Sequence, residues 1–224
     1  MTEPQIEVLP DAASVAERGA AYVAEQAQAA IADHGRFTFA VSGGLGPWAM
    51  FANLAGKMPW EKVTIYQVDE RVAPYGDLDR NLTHLQRSLP PGEAADIRAM
   101  PVGAHDLEAA ADDYARSLPE AFDLIHLGLG PDGHTASLVP GDRVLDVMDR
   151  KVAVTGEYQG RRRMTLTYPT LNAARQVLWL VTGEEKVDAL QRLRAGDTSI
   201  PGGRVVAASQ LIVADAAAAG AVRS

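Results

Sequence analysis

Phe37-Thr38-Phe39-Ala40-Val41, followed without a break by Ser42-Gly43-Gly44-Leu45-Gly46-Pro47, decides how the rest of the chain is read. Five apolar and β-favouring residues predict a short buried strand, and the glycine-rich hexapeptide then turns the chain into a helix running to about Lys57. Pro47 suits the first turn of that helix, where a missing N–H costs nothing. Upstream, Asp11 to Asp33 has Val15, Tyr22, Val23 and Ile31 near helical spacing, with Gly35 placed to end a helix. Helix, strand, glycine turn and helix in that order are the start of an alternating α/β pattern.

The pattern continues downstream. Val63 to Val68 reads as a strand that runs directly into Asp69-Glu70-Arg71, and Asp79 to Leu89 as a helix. Ile97 to Val102 predicts a short strand, and Asp106 to Leu118 a helix opened by an acidic residue. Asp123 to Leu127 is a buried-looking strand emptying into Gly128-Leu-Gly-Pro-Asp-Gly-His134. Further strands follow at Val152 to Thr155, Met164 to Thr167, Val177 to Val181 and Leu211 to Val213, with a helix over Glu184 to Arg194. Such alternation predicts a single-domain, Rossmann-like α/β fold over residues 1–224, its mainly parallel sheet carrying helices on both faces. No linker, fixed-period repeat or low-complexity block beyond the alanine-rich end divides the chain.

Composition bounds the function. The 224 residues contain no cysteine and carry a formal charge of −8, with 47% hydrophobic residues. Thiol catalysis, disulfides and thiolate metal sites are excluded. The acidic balance disfavours nucleic acid and membrane surfaces, since the one basic run, Arg161-Arg162-Arg163, is short. MTEPQIEVLPDAAS lacks the basic start and apolar stretch of a secretory leader, so a cytoplasmic protein is expected. No apolar run approaches the roughly 18 to 20 residues of a membrane span.

In open α/β sheets ligands bind beyond the carboxyl ends of the strands, which directs attention to the loops after Val41, Val68 and Leu127. Ser42, Gly43 and Gly44 stand at a helix N-terminus, where backbone N–H groups and the helix dipole favour an anion such as phosphate; a tight turn needing glycine is the alternative. Asp69, Glu70 and Arg71 place three charges at a strand end, with Arg71 a natural fork for phosphate or carboxylate and a surface ion-pair cluster the alternative. Gly128 to Gly133 formally matches G-x-G-x-x-G. The dinucleotide reading fails because Pro140-Gly141 ends any helix within two turns, and Asp146 and Asp149 do not end a predicted strand. His134 is then a candidate general base with Asp132 as its support. His34, His84 and His105 read as surface residues, and His126 as a hydrogen-bonded core or wall residue. There is no H-x-x-x-H pair and no G-x-S-x-G, so neither a held zinc nor an acyl-serine route is indicated.

These loops, in this order, resemble the 6-phosphogluconolactonase family of the wider glucosamine-6-phosphate isomerase group. The most specific segment is Asp123 to Pro140, DLIHLGLGPDGHTASLVP; Val68-Asp-Glu-Arg71 with Asn81, Arg163-Met-Thr-Leu-Thr167 with Leu171-Asn-Ala-Ala174, and Val181-Thr-Gly-Glu-Glu-Lys186 add to it. The resemblance implies hydrolysis of 6-phospho-D-glucono-1,5-lactone in the oxidative pentose phosphate pathway, without cofactor; a monomer or weak homo-oligomer is expected. The resemblance also implies His134 and Asp132 as catalytic and Ser42, Gly43, Gly44 and Arg71 as positioning phosphate and substrate, with Asp69 and Glu70 either lining the sugar pocket or fixing Arg71, and with Asn81, Arg161 and Arg163 as further candidates for substrate or phosphate, a solvated loop being the alternative for the arginine run.

This sequence departs from the family pattern in two places. Leu45-Gly46 replaces the Ser-Thr of the family's Ser-Gly-Gly-Ser-Thr-Pro loop, removing two hydroxyl donors. Gln159-Gly160-Arg161-Arg162 stands where many relatives carry a lysine near a proline pair. A glucosamine-6-phosphate deaminase-like isomerase would need a glutamate at Val139, and a non-catalytic sugar-phosphate-binding protein would need no base at His134.

Overall fold

The computed structural model describes residues 4–90 and 95–221. In chain order these form β1 Gln5–Leu9, α1 Ala12–His34, β2 Phe37–Val41, α2 Leu45–Ala52, β3 Val63–Gln67, β4 Asp69–Arg71, α3 Asn81–Ser88 and β5 Asp96–Arg98. They continue with α4 Leu107–Ser117, β6 Leu124–Leu127, β7 Val152–Val154, β8 Arg163–Leu166, α5 Tyr168–Asn172, β9 Val177–Val181, α6 Val187–Arg194 and β10 Gln210–Asp215.

Seven strands form one sheet in the order β1-β10-β9-β6-β2-β3-β5, and every pairing in it is parallel. Its inner strands are largely apolar on both faces because each face buries its own core. Along β9, Val177, Trp179 and Val181 pack into one cluster while Leu178 and Leu180 pack into the other; in β10, Ile212 and Ala214 alternate with Leu211 and Val213 in the same way. Helices α1, α2 and α3 supply residues to the second cluster, α4, α5 and α6 to the first. Caps set the bounds of α1: the Asp11 carboxylate accepts from Ser14 N–H, and Gly35, with φ 84°, donates its N–H to the Ile31 carbonyl.

From β2 the chain steps outward through β3 to β5, then returns to β6 and steps the other way through β9 and β10. The direction of winding therefore reverses between β2 and β6, and the loops leaving these two strands flank the crevice that such a reversal opens.

Three expectations need correction. The charged run Asp69 to Arg71 does not simply end a strand: it is β4, the edge of a second, three-stranded sheet β4-β8-β7 whose pairings are antiparallel. Val68 is the joint, its N–H bonded to the Val41 carbonyl in the large sheet and its carbonyl to Leu166 N–H in the small one. The strands expected at 152–155 and 164–167 thus belong to this small sheet. Helix α2 stops at Ala52 and not near Lys57, because Asn53 caps it and a turn follows. Two elements were not anticipated: the half-exposed edge strand β1 and the one-turn helix α5.

Candidate active site

Ser42, Gly43 and Gly44 leave β2 and deliver the chain to the N-terminus of α2. The first turn of a helix has no internal acceptors for its N–H groups, so those of Leu45 and Gly46 face outward with the positive end of the dipole. Pro47, third in the helix, has no N–H to give. Opposite, the turn after β6 folds back on itself: Gly130 N–H donates to the His134 carbonyl at 2.8 Å, and Gly133 N–H to the Gly130 carbonyl at 2.9 Å. The two loops wall a cleft of about 300 Å³, which also takes in Thr182, Glu185 and Lys186 beyond the end of β9.

His134 lines this cleft with 24% of its side chain exposed. Its Nδ1 meets Asp132 Oδ1 at 2.5 Å, and its backbone N–H donates to the same oxygen at 3.1 Å. Burial raises the Asp132 pKa, but these two contacts and the nearby imidazole outweigh it and hold the carboxyl below its ordinary range. An ionised Asp132 against Nδ1 leaves Nε2 as the nitrogen for proton transfer. The packing is tight on one side: a Cβ at Gly130 would lie 2.1 Å from His134 Nδ1 and 2.3 Å from Cε1, so only glycine fits.

The second half of the site is built on β4 and β8. Asp69 is buried and accepts from two hydroxyls, Ser42 Oγ at 3.3 Å and Ser137 Oγ at 2.7 Å, which ties the small sheet to both loops. Asn81 donates from Nδ2 to the Asp69 carbonyl at 3.0 Å and accepts from Arg71 Nη1 at 3.0 Å. It also lies directly against the glycine loop, since a Cβ at Gly43 would sit 2.0 Å from Asn81 Oδ1. Arg71 and Arg163 are directly opposed in the antiparallel ladder, so both side chains leave the same face. Two opposed cations on neighbouring strands repel unless an anion lies between them. Arg163 is only 4% exposed and its Nε has no partner. Burial lowers its pKa, Asp69 opposing the shift and the Arg71 charge adding to it.

Glu70 and Arg161 take the second of the two positions expected for each, the one fixing Arg71 and the other in the surface loop. Glu70 is fully buried beneath the site: its oxygens accept from the backbone N–H groups of Arg71, Asn81 and Leu82 and from Gln67 and Arg80. It therefore caps the N-terminus of α3 and sets Asn81 and Arg71 in place from below. Arg161 is paired with Asp79 at 2.8 Å and Asp77 at 3.7 Å, bracing the loop whose Asp79 carbonyl receives Arg71 Nη1. His126 is in the core as expected but is not hydrogen-bonded: both ring nitrogens are buried without partners.

Sequence reasoning passed over Lys186 and Tyr158. Lys186 stands in the cleft with 19% of its side chain exposed, 3.6 Å from Glu185; its position past the end of a parallel strand was the available signal. Tyr158 carries the Arg163 guanidinium 4.9 Å from its ring centre and meets the His134 ring edge-to-face at 5.7 Å. Leu45, where a hydroxyl was expected, is 90% exposed and makes no polar contribution.

A glycine loop at a helix N-terminus, an imidazole–carboxylate pair and two opposed arginines, set at the winding reversal of a parallel sheet, fit the class of α/β enzymes. Comparison with known proteins narrows this. The sequence matches the family described as glucosamine-6-phosphate isomerases/6-phosphogluconolactonase over residues 10–213. It is 38% identical to a Synechocystis protein named 6-phosphogluconolactonase, covering 86% of this chain and 85% of the relative. It is 36% identical to one of the same name from Rattus norvegicus, covering 72% and 70%. The crystal structure of a 6-phosphogluconolactonase from Shewanella baltica superimposes with a TM-score of 0.86 at 25% identity, over 96% of this chain and 98% of that one. The chain belongs to the glucosamine-6-phosphate isomerase/6-phosphogluconolactonase family, among its 6-phosphogluconolactonases.

Proposed function

We propose that this enzyme hydrolyses 6-phospho-D-glucono-1,5-lactone to 6-phospho-D-gluconate with a water activated by His134. The observation that supports this most directly is the 2.5 Å contact between His134 Nδ1 and Asp132 at the wall of the anion-loop cleft. A lactone is an activated ester, so one placed base and a charge-stabilised oxyanion suffice without a protein nucleophile. Nε2 takes a proton from water as its oxygen attacks the lactone carbonyl. When the tetrahedral adduct collapses, the ring C–O bond breaks and the imidazolium returns that proton to the departing ring oxygen. The carboxylic acid product then ionises, and that released proton is what an assay reads. The phosphate is assigned to the Ser42 to Gly46 loop with Lys186, and Arg71 and Arg163 supply positive charge on the carbonyl side. Remote binding of the phosphate orients the reacting ring, which is where binding energy becomes rate.

Acid release from freshly generated lactone, corrected for spontaneous hydrolysis, tests the base. His134→Ala is expected to lower kcat by roughly 10²- to 10⁴-fold, the usual contribution of a placed base. A variant as fast as the parent protein would remove His134 from this role. An aldose–ketose isomerase is disfavoured because Val139 offers no carboxylate for ring opening.

A further inference from the structure

We infer that Tyr158 is a positioning residue which joins Arg163 to His134 and fixes the plane of the catalytic imidazole. The proposal rests on His134 being the base, and it concerns what holds that ring. Asp132 restrains the imidazole at one atom only, Nδ1, and a single contact leaves rotation about the bond to the ring. The Gly130 backbone closes one side, at a distance no Cβ could occupy. Tyr158 meets the ring from another direction, edge-to-face with centroids 5.7 Å apart, within the range where aromatic pairs attract. His134 is thereby held at three points: the carboxylate, the glycine backbone and the phenol ring.

Tyr158 is itself fixed from the other side. The Arg163 guanidinium lies 4.9 Å from its ring centre, and Arg163 Nη2 donates to Gln159 Oε1 at 3.2 Å. The hairpin tip is locked by reciprocal bonds between Tyr158 and Arg161, Tyr158 N–H to the Arg161 carbonyl at 3.0 Å and the reverse at 3.3 Å. Gln159 and Gly160, both at positive φ (52° and 75°), make the tight turn that this pairing requires. Asp79 anchors the same tip through Arg161. The small sheet thus reaches over the large one, and its one aromatic finger sets the geometry of the base that the large sheet carries. Tyr158 touches the proposed base, so its effect belongs in kcat through His134.

The decisive property is the ring and not the hydroxyl, which gives a discriminating pair of variants. Tyr158→Phe keeps both stacking faces; Tyr158→Leu keeps much of the bulk against the neighbouring cavity of about 570 Å³ but removes the π system. Tyr158→Phe is expected to hold kcat within about twofold of the parent, and Tyr158→Leu to lower it about tenfold or more, since small misplacements of catalytic groups are costly. A readout independent of turnover is the His134 Cε1–H resonance, assigned by its loss in His134→Ala. It should shift in Tyr158→Leu as the ring current is lost, and stay in place in Tyr158→Phe. Unchanged kcat and resonance in Tyr158→Leu would overturn the proposal, as would a Phe variant as impaired as Leu. Full activity in His134→Ala would instead sink the base, leaving the resonance shift to report on the contact alone.

Discussion

Asp132 shows how a single side chain divides labour between structure and chemistry. Its Oδ1 receives both the backbone N–H and the ring Nδ1 of His134, two residues on, so the carboxylate shapes the turn and selects the imidazole tautomer together. Despite burial, these contacts hold Asp132 below the ordinary carboxyl range, which favours the charged form that Nδ1–H can meet. Asp132→Asn keeps the shape but presents an amide that can leave the wrong nitrogen protonated, so kcat should fall by roughly 10- to 100-fold, short of the loss of the base itself. Steady-state rates of the variant with the lactone check this; a change in KM alone would assign Asp132 to substrate binding. His134 and Asp132 were legible in the sequence because both sit in one short loop. Tyr158 was not, since its relation to His134 exists only after β7 and β8 have been laid against the loop that follows β6, whereas Lys186 lay within a quoted motif without being singled out.

At the level of elements, β6 carries a conflict of its own. It pairs in parallel with β2 on one side and β9 on the other, so it lies within the sheet and all four of its residues are buried. His126 is among them with neither ring nitrogen satisfied, and burial pushes its pKa down to about 3. The unfolded chain binds a proton at this residue near pH 6.5, whereas the native state refuses it until far lower pH. Stability from this group is therefore fully present above about pH 6.5 and drains as pH falls toward about 3, with a slope approaching about 1.4 kcal/mol per pH unit. His126→Leu should remove that slope and move the acid unfolding midpoint to lower pH, as followed by circular dichroism. An unshifted midpoint would mean the imidazole is solvated in the native state. The strand itself was readable from its apolar run, but the missing partners were not, because satisfaction of a buried ring depends on neighbours from other elements. The same limit explains β4: three charged residues at a strand end look alike whether the chain stops there or crosses at Val68 into a second sheet. Edge strand β1 was hidden for the opposite reason, its half-exposed residues giving no buried pattern.

Across the whole molecule, the anionic ligand and the net charge of −8 pull in opposite senses. Lys186 stands in the cleft beyond the end of β9, and Arg71 and Arg163 are opposed across β4 and β8, so any attraction they exert operates over a few ångströms in partly buried surroundings. Repulsion from the remaining acidic surface acts over longer distances through water. Salt separates the two, because screening near 0.1 M cuts off interactions beyond about 10 Å while leaving short, buried pairs largely intact. Raising ionic strength from about 0.01 M to about 0.1 M should therefore leave KM for the phosphorylated lactone unchanged or lower it. A KM that climbs steeply with salt would show that the long-range field at the cleft is positive, and would shift recognition from the local cations to the surface as a whole.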